Sequence, residues 1–367
     1  MISSKNINNK YSSSLIFPVK NLPKSYSRKT LLIFLIIIVA LVLLFVTDII
    51  TGTVKIPINL IWDSIVSDHT LKPEWRTILF DFRIPRVLVA ILAGMALAVS
   101  GLEMQTYFRN PLAGPYVLGI SSGASLGVAI LVMGVSFVNL PSGFSINQWA
   151  VVLSAWIGAG LVMLLILAVS ARINDNTTIL ILGILFGSIT MALVSILQYL
   201  STETEVKAFI IWTLGSLGNV TGPQLKVMIP AVIAGLILSL LSIKSLNAML
   251  LGEQYAKSMG INILLSRSLI FLSTSILAGT ITAFCGPIGF IGIAVPHMTR
   301  LLFSTSDHRI VVPGTLIMGA VLMLISDIIS QLAGSGQILP INSVTAILGI
   351  PVVILIILRK QRVISVG

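Results

Sequence analysis

Two acidic residues, Glu103 and Asp327, lie inside long apolar runs of this chain, and their placement could do chemistry. A carboxylate held in hydrocarbon is costly, and where one persists it commonly serves ion or proton coupling. Glu103 stands just ahead of Arg109, so it either reaches the membrane interface or pairs locally. Asp327 is the stronger candidate for coupling, against the simpler role of a hydrogen bond to neighbouring backbone. No nucleophile stands with a base and no carboxylates are paired, which argues against an intramembrane enzyme. His69, His297 and His308 are far apart without metal-ligand spacing, so no metal is expected. Cys285, the single cysteine, lies in an apolar stretch and reads as a small packed hydrophobe. The dipeptide Gly-Lys of a phosphate-binding loop never occurs, so any ATP that drives this chain is hydrolysed elsewhere.

The elements that must position these residues are membrane helices. Apolar residues make up 56% and charged residues 10% of the 367 positions, and the mean hydropathy is +1.04. A crossing helix needs about 20 mostly apolar residues, and a β-barrel would show short alternating segments instead. Ten runs fit, at 30–50, 83–107, 114–134, 148–170, 178–200, 224–243, 266–285, 288–303, 310–330 and 344–359. The expected fold is therefore an all-α polytopic membrane protein. A transmembrane domain spans 30–360, between a basic tail at 1–29 and a short tail at 361–367. The stretch 51–82 is too polar to cross; Ile58, Ile61, Trp62 and Ile65 recur at helical spacing, as in an amphipathic helix on the outer surface.

Ten spans put both termini on one side, and charge decides which. With the termini inside, cytoplasmic segments carry sixteen Lys and Arg and outer segments seven, which places both ends in the cytoplasm of an inner membrane. The net charge of +11 then marks loops and lipid contacts rather than nucleic-acid binding. Arg83 and Arg86 stand out as basic residues at an outer helix mouth. Gly119, Gly123 and Gly127, like Gly183 and Gly187, repeat every four residues and form small faces for close helix packing. Gly114-Pro115 on the inner side echoes Gly286-Pro287 on the outer side, as an inverted repeat of two five-helix halves would. Between the sixth and seventh spans, 244–265 forms a cytoplasmic loop whose center, 251–261, makes a short helix stopped by Gly260.

Together these stretches resemble the FecCD-type permeases of ABC importers for ferric siderophores, haem and vitamin B12. The match is carried by Arg83-Ile84-Pro85-Arg86, by Arg109-Asn110-Pro111-Leu112-Ala113 with Pro115, Gly119 and Gly123, and by Gly215-Ser216-Leu217. It continues through Leu251-Gly252-Glu253, Ala256 and Gly260, then Gly286-Pro287, Val295-Pro296-His297 with Arg300, and Gly349-Ile350-Pro351. The resemblance implies a dimer with a second permease copy, two cytoplasmic ATPase subunits carrying the ATP, and an extracytoplasmic substrate-binding protein. It implies no cofactor on this chain, and ATPase coupling through Leu251, Gly252, Glu253, Ala256 and Gly260. Arg83 and Arg86 would pair with acidic residues of the binding protein, and Thr178, Gly183, Gly187, Ser188 and Ser195 would line the pathway. His297 and Arg300 would cap the inner end of a span. Two departures stand out: Gln331 occupies a place where some relatives carry an outer basic residue, and the basic tail is longer than usual. The rival reading is a stand-alone ion-coupled carrier working through Asp327.

Overall fold

The computed structural model describes residues 28–52, 54, 73–134, 147–173, 175–332 and 338–364, and within them every regular element is a helix. The basic tail up to residue 27, the expected surface helix at 58–65 and residues 365–367 lie outside the described residues.

In order the helices are α1 (Arg28–Ile50), α2 (Pro73–Tyr107), α3 (Ile120–Val132), α4 (Gln148–Ser170), α5 (Asn176–Leu200), α6 (Glu203–Thr213), α7 (Gly222–Leu241), α8 (Ile243–Leu251), α9 (Glu253–Ser258), α10 (Ile263–Cys285), α11 (Ile291–Phe303), α12 (His308–Leu332) and α13 (Ile341–Ile364). Each expected span has its helix. Three features were not expected: α2 begins ten residues early at Pro73, with a π-helical stretch at Ile78–Arg83; α6 follows α5; and α8 precedes the expected short helix, α9, in the long loop. Polar caps set the starts. Asn147 accepts the Ala150 amide, Asp175 those of Thr177 and Thr178, and Asn262 that of Leu265, each satisfying orphan donors of a first turn. Thr202 with Glu205 and Thr221 with Gln224 form capping boxes.

Seven helices, α1, α2, α4, α5, α7, α10 and α12, are long and apolar enough to cross a membrane. Helices α3 and α11 have 13 residues each, and at about 1.5 Å per residue they reach about 20 Å, short of a hydrocarbon layer of about 30 Å. The chain covers the remaining depth in non-helical form, at Gly114–Gly119 with a 3-10 turn (Pro115–Leu118), and at Gly286–Phe290. Backbone of this kind survives at membrane depth only where protein buries it. These two segments bury each other: a methyl on Gly114 would touch Ile293, one on Gly292 would strike Pro115, and the Ile288 amide donates to the Tyr116 hydroxyl at 3.3 Å. The Gly-Pro echo is thus the place where the two halves meet.

The packing repeats between halves, with α1–α5 matching α7, α10, α11, α12 and α13. Helix α2 packs on α12 and on α11, as α10 packs on α4 and on α3; α3 with α4 and α5 mirrors α11 with α12 and α13. The first helix of each half departs from this, since α1 leans on α12 whereas α7 leans on α10 and α2. Glycines permit the tightest crossings. An added Cβ on Gly94 would sit 2.2 Å from the Gly319 carbonyl oxygen, and one on Gly123 2.5 Å from that of Gly158, so both pairs bring backbones into direct contact.

Candidate functional site

Two clefts open at opposite ends of the bundle. The mouth face carries the end of α1, the start of α2, residues 214–219, the end of α12 and the start of α13. Here a cleft of about 590 Å³ is lined by Arg83, Arg86, Gly215, Ser216, Asp327, Gln331 and Pro340 among others. Arg86 grips Asp327 with two nitrogens, Nε at 2.8 Å from Oδ2 and Nη2 at 2.6 Å from Oδ1. The Asp327 side chain is fully buried and that of Arg86 is 13% exposed. Gln331, one turn further along α12, donates its amide to Asp48 at 2.7 Å and to Asp327 at 3.0 Å. A neutral donor thus bridges the carboxylates of Asp48 and Asp327. Arg83 turns the other way: its guanidinium donates to the carbonyls of Ile49, Ile50 and Val54 and closes the C-terminal end of α1.

The two arginines expected to pair with a binding protein both have acceptors inside this chain, because a guanidinium at a half-buried helix mouth must find acceptors. The backbone hydrogen bond expected for Asp327 is corrected: its partners are the side chains of Arg86 and Gln331. Glu103 does not reach Arg109; it is buried and accepts the Thr274 hydroxyl at 3.0 Å.

The loop face carries the residues between α2 and α3, the α4–α5 turn, α8 and α9. Its cleft, about 1220 Å³, is lined by Arg109, Asp175, Asn176, Leu251, Gly252, Glu253, Tyr255 and Arg267 among others. Arg109, in a left-handed backbone conformation (φ 48°), donates to the carbonyls of Met249 and Leu250. Those are the orphan acceptors at the end of α8. Gly252 (φ 121°) follows, and a Cβ there would lie 2.9 Å from the same guanidinium. Arg267 of α10 donates to the carbonyls of Ser170 at 2.5 Å and Ile173 at 2.8 Å, and stands 3.7 Å from Glu253. Helix α9 ends as its composition requires: Ile261 donates to Ala256, and Gly260 (φ 81°) to Lys257, the paired bonds of a Schellman motif. Ala256 is fully buried, while Tyr255, Met259 and Leu251 present apolar surface to solvent. At the rim of the same cleft, the hydroxyl and amide of Thr178 hold the Asp175 carboxyl below the usual carboxylate range.

The family-motif residues lie between these clefts. Asn110 closes its own turn by accepting the Leu112 amide at 3.0 Å. The ring Nε2 of His297 is 2.7 Å from the Pro111 carbonyl, and Arg300 donates to Gln105 at 2.8 Å, so the two tie α11 to α2 and to the loop after it. Pro115 and Gly119 shape the 3-10 turn, Gly123 meets α4, Pro287 sits in the opposing loop and Pro296 lies within α11. The five residues expected to line a pathway divide. Thr178, Ser188 and Ser195 are on the exposed side of α5, whereas Gly183 and Gly187 are buried against the 3-10 turn and α3. A period of four places the glycines on one face and the hydroxyls on another. Asp48, Asn247, Asp307 and His308 had no signal in the sequence, because none belongs to a local motif and each finds its partner across the fold.

A family model, the FecCD transport family, matches residues 38–359. The chain belongs to this family. It is 37% identical over 284 residues, 77% of this chain and 84% of the relative, to the vitamin B12 import system permease protein BtuC of Salmonella typhi. The BtuC of Salmonella newport (strain SL254) matches to the same extent. A solved structure described as a metal-chelate type ABC transporter in an inward-facing conformation superposes with a TM-score of 0.76 and 27% identity, covering 89% of this chain and 99% of that one. This FecCD chain is thus a multi-pass membrane permease of an ABC importer, and ATP-driven import displaces the carrier coupled through Asp327. Family membership also implies ATPase and substrate-binding partners and a dimer.

Proposed function

We propose that two ATPase subunits grip the loop face of a dimer of this chain, and that their motion moves a chelated metal or corrin inward across the cytoplasmic membrane. The observation that carries this reading is the construction of the cleft at 251–261. Arg109 fastens the end of α8, Arg267 braces the opposite wall, and α9 projects with a fixed stop at Gly260. A short helix held at both ends is a lever and not a tether. The second copy is assigned to the apolar outer side of α5 and α13, where Ile181, Ile184, Ile189, Ile347 and Ile354 are exposed in the single chain. Thr178, Ser188 and Ser195 then face the pathway between copies.

At the mouth, a substrate-binding protein brings carboxylates to a cleft lined by Arg83 and Arg86. To pair with Arg86 it competes with Asp327, so docking and the α2–α12 contact are linked. Both termini are cytoplasmic, following the excess of Lys and Arg on the loop face. Cobalamin is the first cargo to test because the relatives named above import vitamin B12; ferric siderophores and haem follow. The experiment is uptake of labelled cyanocobalamin, ferric siderophore and haem by inverted-free vesicles carrying the permease, its ATPase and its binding protein. Import that needs ATP and persists when ion gradients are collapsed supports the reading. Gradient-driven uptake without an ATPase subunit would overturn it.

A further inference from the structure

Asn247 lies on α8, one turn before the lever at 251–261, and makes more side-chain bonds to another helix than any apolar contact could direct. Its amide donates to Asp307 Oδ1 at 2.8 Å, and its carbonyl oxygen lies 2.8 Å from both the backbone amide and the ring Nδ1 of His308. The chemistry fixes how Asn247 and His308 point toward each other. A carboxylate only accepts and a backbone amide only donates, so the Asn247 amide orientation is determined. Nδ1 of His308 faces an acceptor and therefore carries the hydrogen, leaving Nε2 of the uncharged ring to accept. Nε2 lies 2.9 Å from the Thr106 hydroxyl on α2, and Arg300 of α11 donates to that same hydroxyl oxygen at 3.4 Å.

A connected polar path therefore runs from the Arg300 cation through Thr106, His308 and Asn247 to the Asp307 anion, and at Thr106 the Leu102 carbonyl, 2.8 Å from the same hydroxyl, competes with His308 for its single hydrogen. Such a chain is polarised from both ends, and each link strengthens the next. It joins α11, α2, the start of α12 and α8, with His308 fully buried at its middle. Beside it, Leu102 of α2, Val311 and Val312 of α12 and Ile243 of α8 make an apolar contact. Apolar contact is non-directional and lets helices slide, whereas hydrogen bonds weaken steeply when bent. Arg109 reaches α8 too, but from the α2–α3 loop rather than from the body of a spanning helix.

We propose that Asn247 is the positioning residue that passes movement of the lever into α12 and α2, with His308 and Thr106 as the next links. This rests on the reading that ATPase subunits grip 251–261. A residue that only stabilised the fold would leave the ratio of mouth movement to ATP turnover unchanged when replaced. A transmitting residue would not.

The test uses the complete complex in liposomes, with Asn219→Cys as a reporter in the mouth cleft; the native Cys285 is buried and silent. An impermeant maleimide reads its labelling rate with and without ATP plus vanadate. In the otherwise unaltered chain the rate should change at least about five-fold, the lower end of ordinary coupling. In Asn247→Leu and in Thr106→Val the ATPase subunits should remain bound and ATP should still be hydrolysed, while the change falls to about one-fold, that is, no response. Thr106→Ser, which restores the hydroxyl, should restore the response. A normal response in Asn247→Leu and Thr106→Val, or none in Thr106→Ser, overturns the proposal. If Asn247→Leu does not fold, the Thr106 pair decides. Failure of the unaltered chain to retain ATPase subunits would instead remove the reading of 251–261 on which the proposal stands.

Discussion

At the mouth face Arg86 closes on the buried carboxylate of Asp327, whereas at the loop face Arg109 closes on main-chain carbonyls at the end of α8. Both arrangements staple elements that are far apart in sequence, yet they fail differently. Removing a cation from a buried carboxylate strands a charge away from water. Removing one from carbonyls at a solvated helix end leaves neutral acceptors that water can reach. The mouth is thus built for stability with an exchangeable partner, and the loop face for geometry that another protein can pull on.

The sharpest break in this comparison is Arg86→Met. It should destabilise the protein by about 3–5 kcal/mol, the usual cost of breaking a buried pair from one side. Replacing both partners, Arg86→Met with Asp327→Leu, should recover most of that loss, because neither member of the pair is left stranded and Asp48 keeps the Gln331 amide as its donor. Thermal unfolding of the purified permease in detergent reads both. Equal loss in the single and double variants would mean that the pair's worth lies in packing and not in charge.

Arg109→Ala sharpens the comparison from the other face. Its cost in stability should be about 1 kcal/mol, because the Met249 and Leu250 carbonyls it frees lie beside an open cleft. Its functional cost should be far larger. With the end of α8 released, the ATPase subunits should no longer be retained through purification. A variant as unstable as Arg86→Met, or one that keeps its subunits, would erase the distinction between the two faces.

These contrasts also explain what was legible in the sequence. Features set by neighbours along the chain could be read: the ten apolar runs, the Gly260 stop, the Gly-Pro echo. The capping box Thr202-Glu205 is equally local, and it marks α6 between the fifth and sixth expected spans. Features set by tertiary proximity could not be read. Arg86 and Asp327 are 241 positions apart, and Asn247 and His308 are 61 apart. Nothing local tells an arginine that caps a distant helix from one that faces a partner protein. Arg83 and Arg86 were therefore assigned outward, and their internal acceptors emerged only with the fold.

Gly260→Val separates geometry from contact on the loop face. A Cβ at Gly260 meets nothing within 4 Å, so no clash is introduced. The left-handed backbone (φ 81°) alone penalises a side chain, by about 1–2 kcal/mol. Global unfolding should barely move, since α9 packs chiefly on its neighbours in sequence, α8 and α10, while ATPase retention and uptake should fall. Wild-type retention in this variant would mean that the lever tolerates a remodelled stop and that its rigidity is not what the partner uses.

The smallest effect belongs to Asp175, whose side chain caps α5 at the rim of the loop-face cleft. Thr178 holds its carboxyl below the usual range, so folding favours the charged form. The sign follows directly: the stabilisation is present above the ordinary carboxylate pKa and is lost as pH falls through the lowered one. Acidification should therefore loosen the first turn of α5, seen as faster amide exchange at Thr177 and Thr178 after correction for the intrinsic rate. Asp175→Asn, which still caps but does not titrate, should show no such pH dependence. The mouth-face network should not respond in the same window with any change of exchange in α5, because none of its groups touches that turn. A pH response of α5 that survives in Asp175→Asn would show that some other group at the loop face titrates there, and that the cap is not the sensitive element.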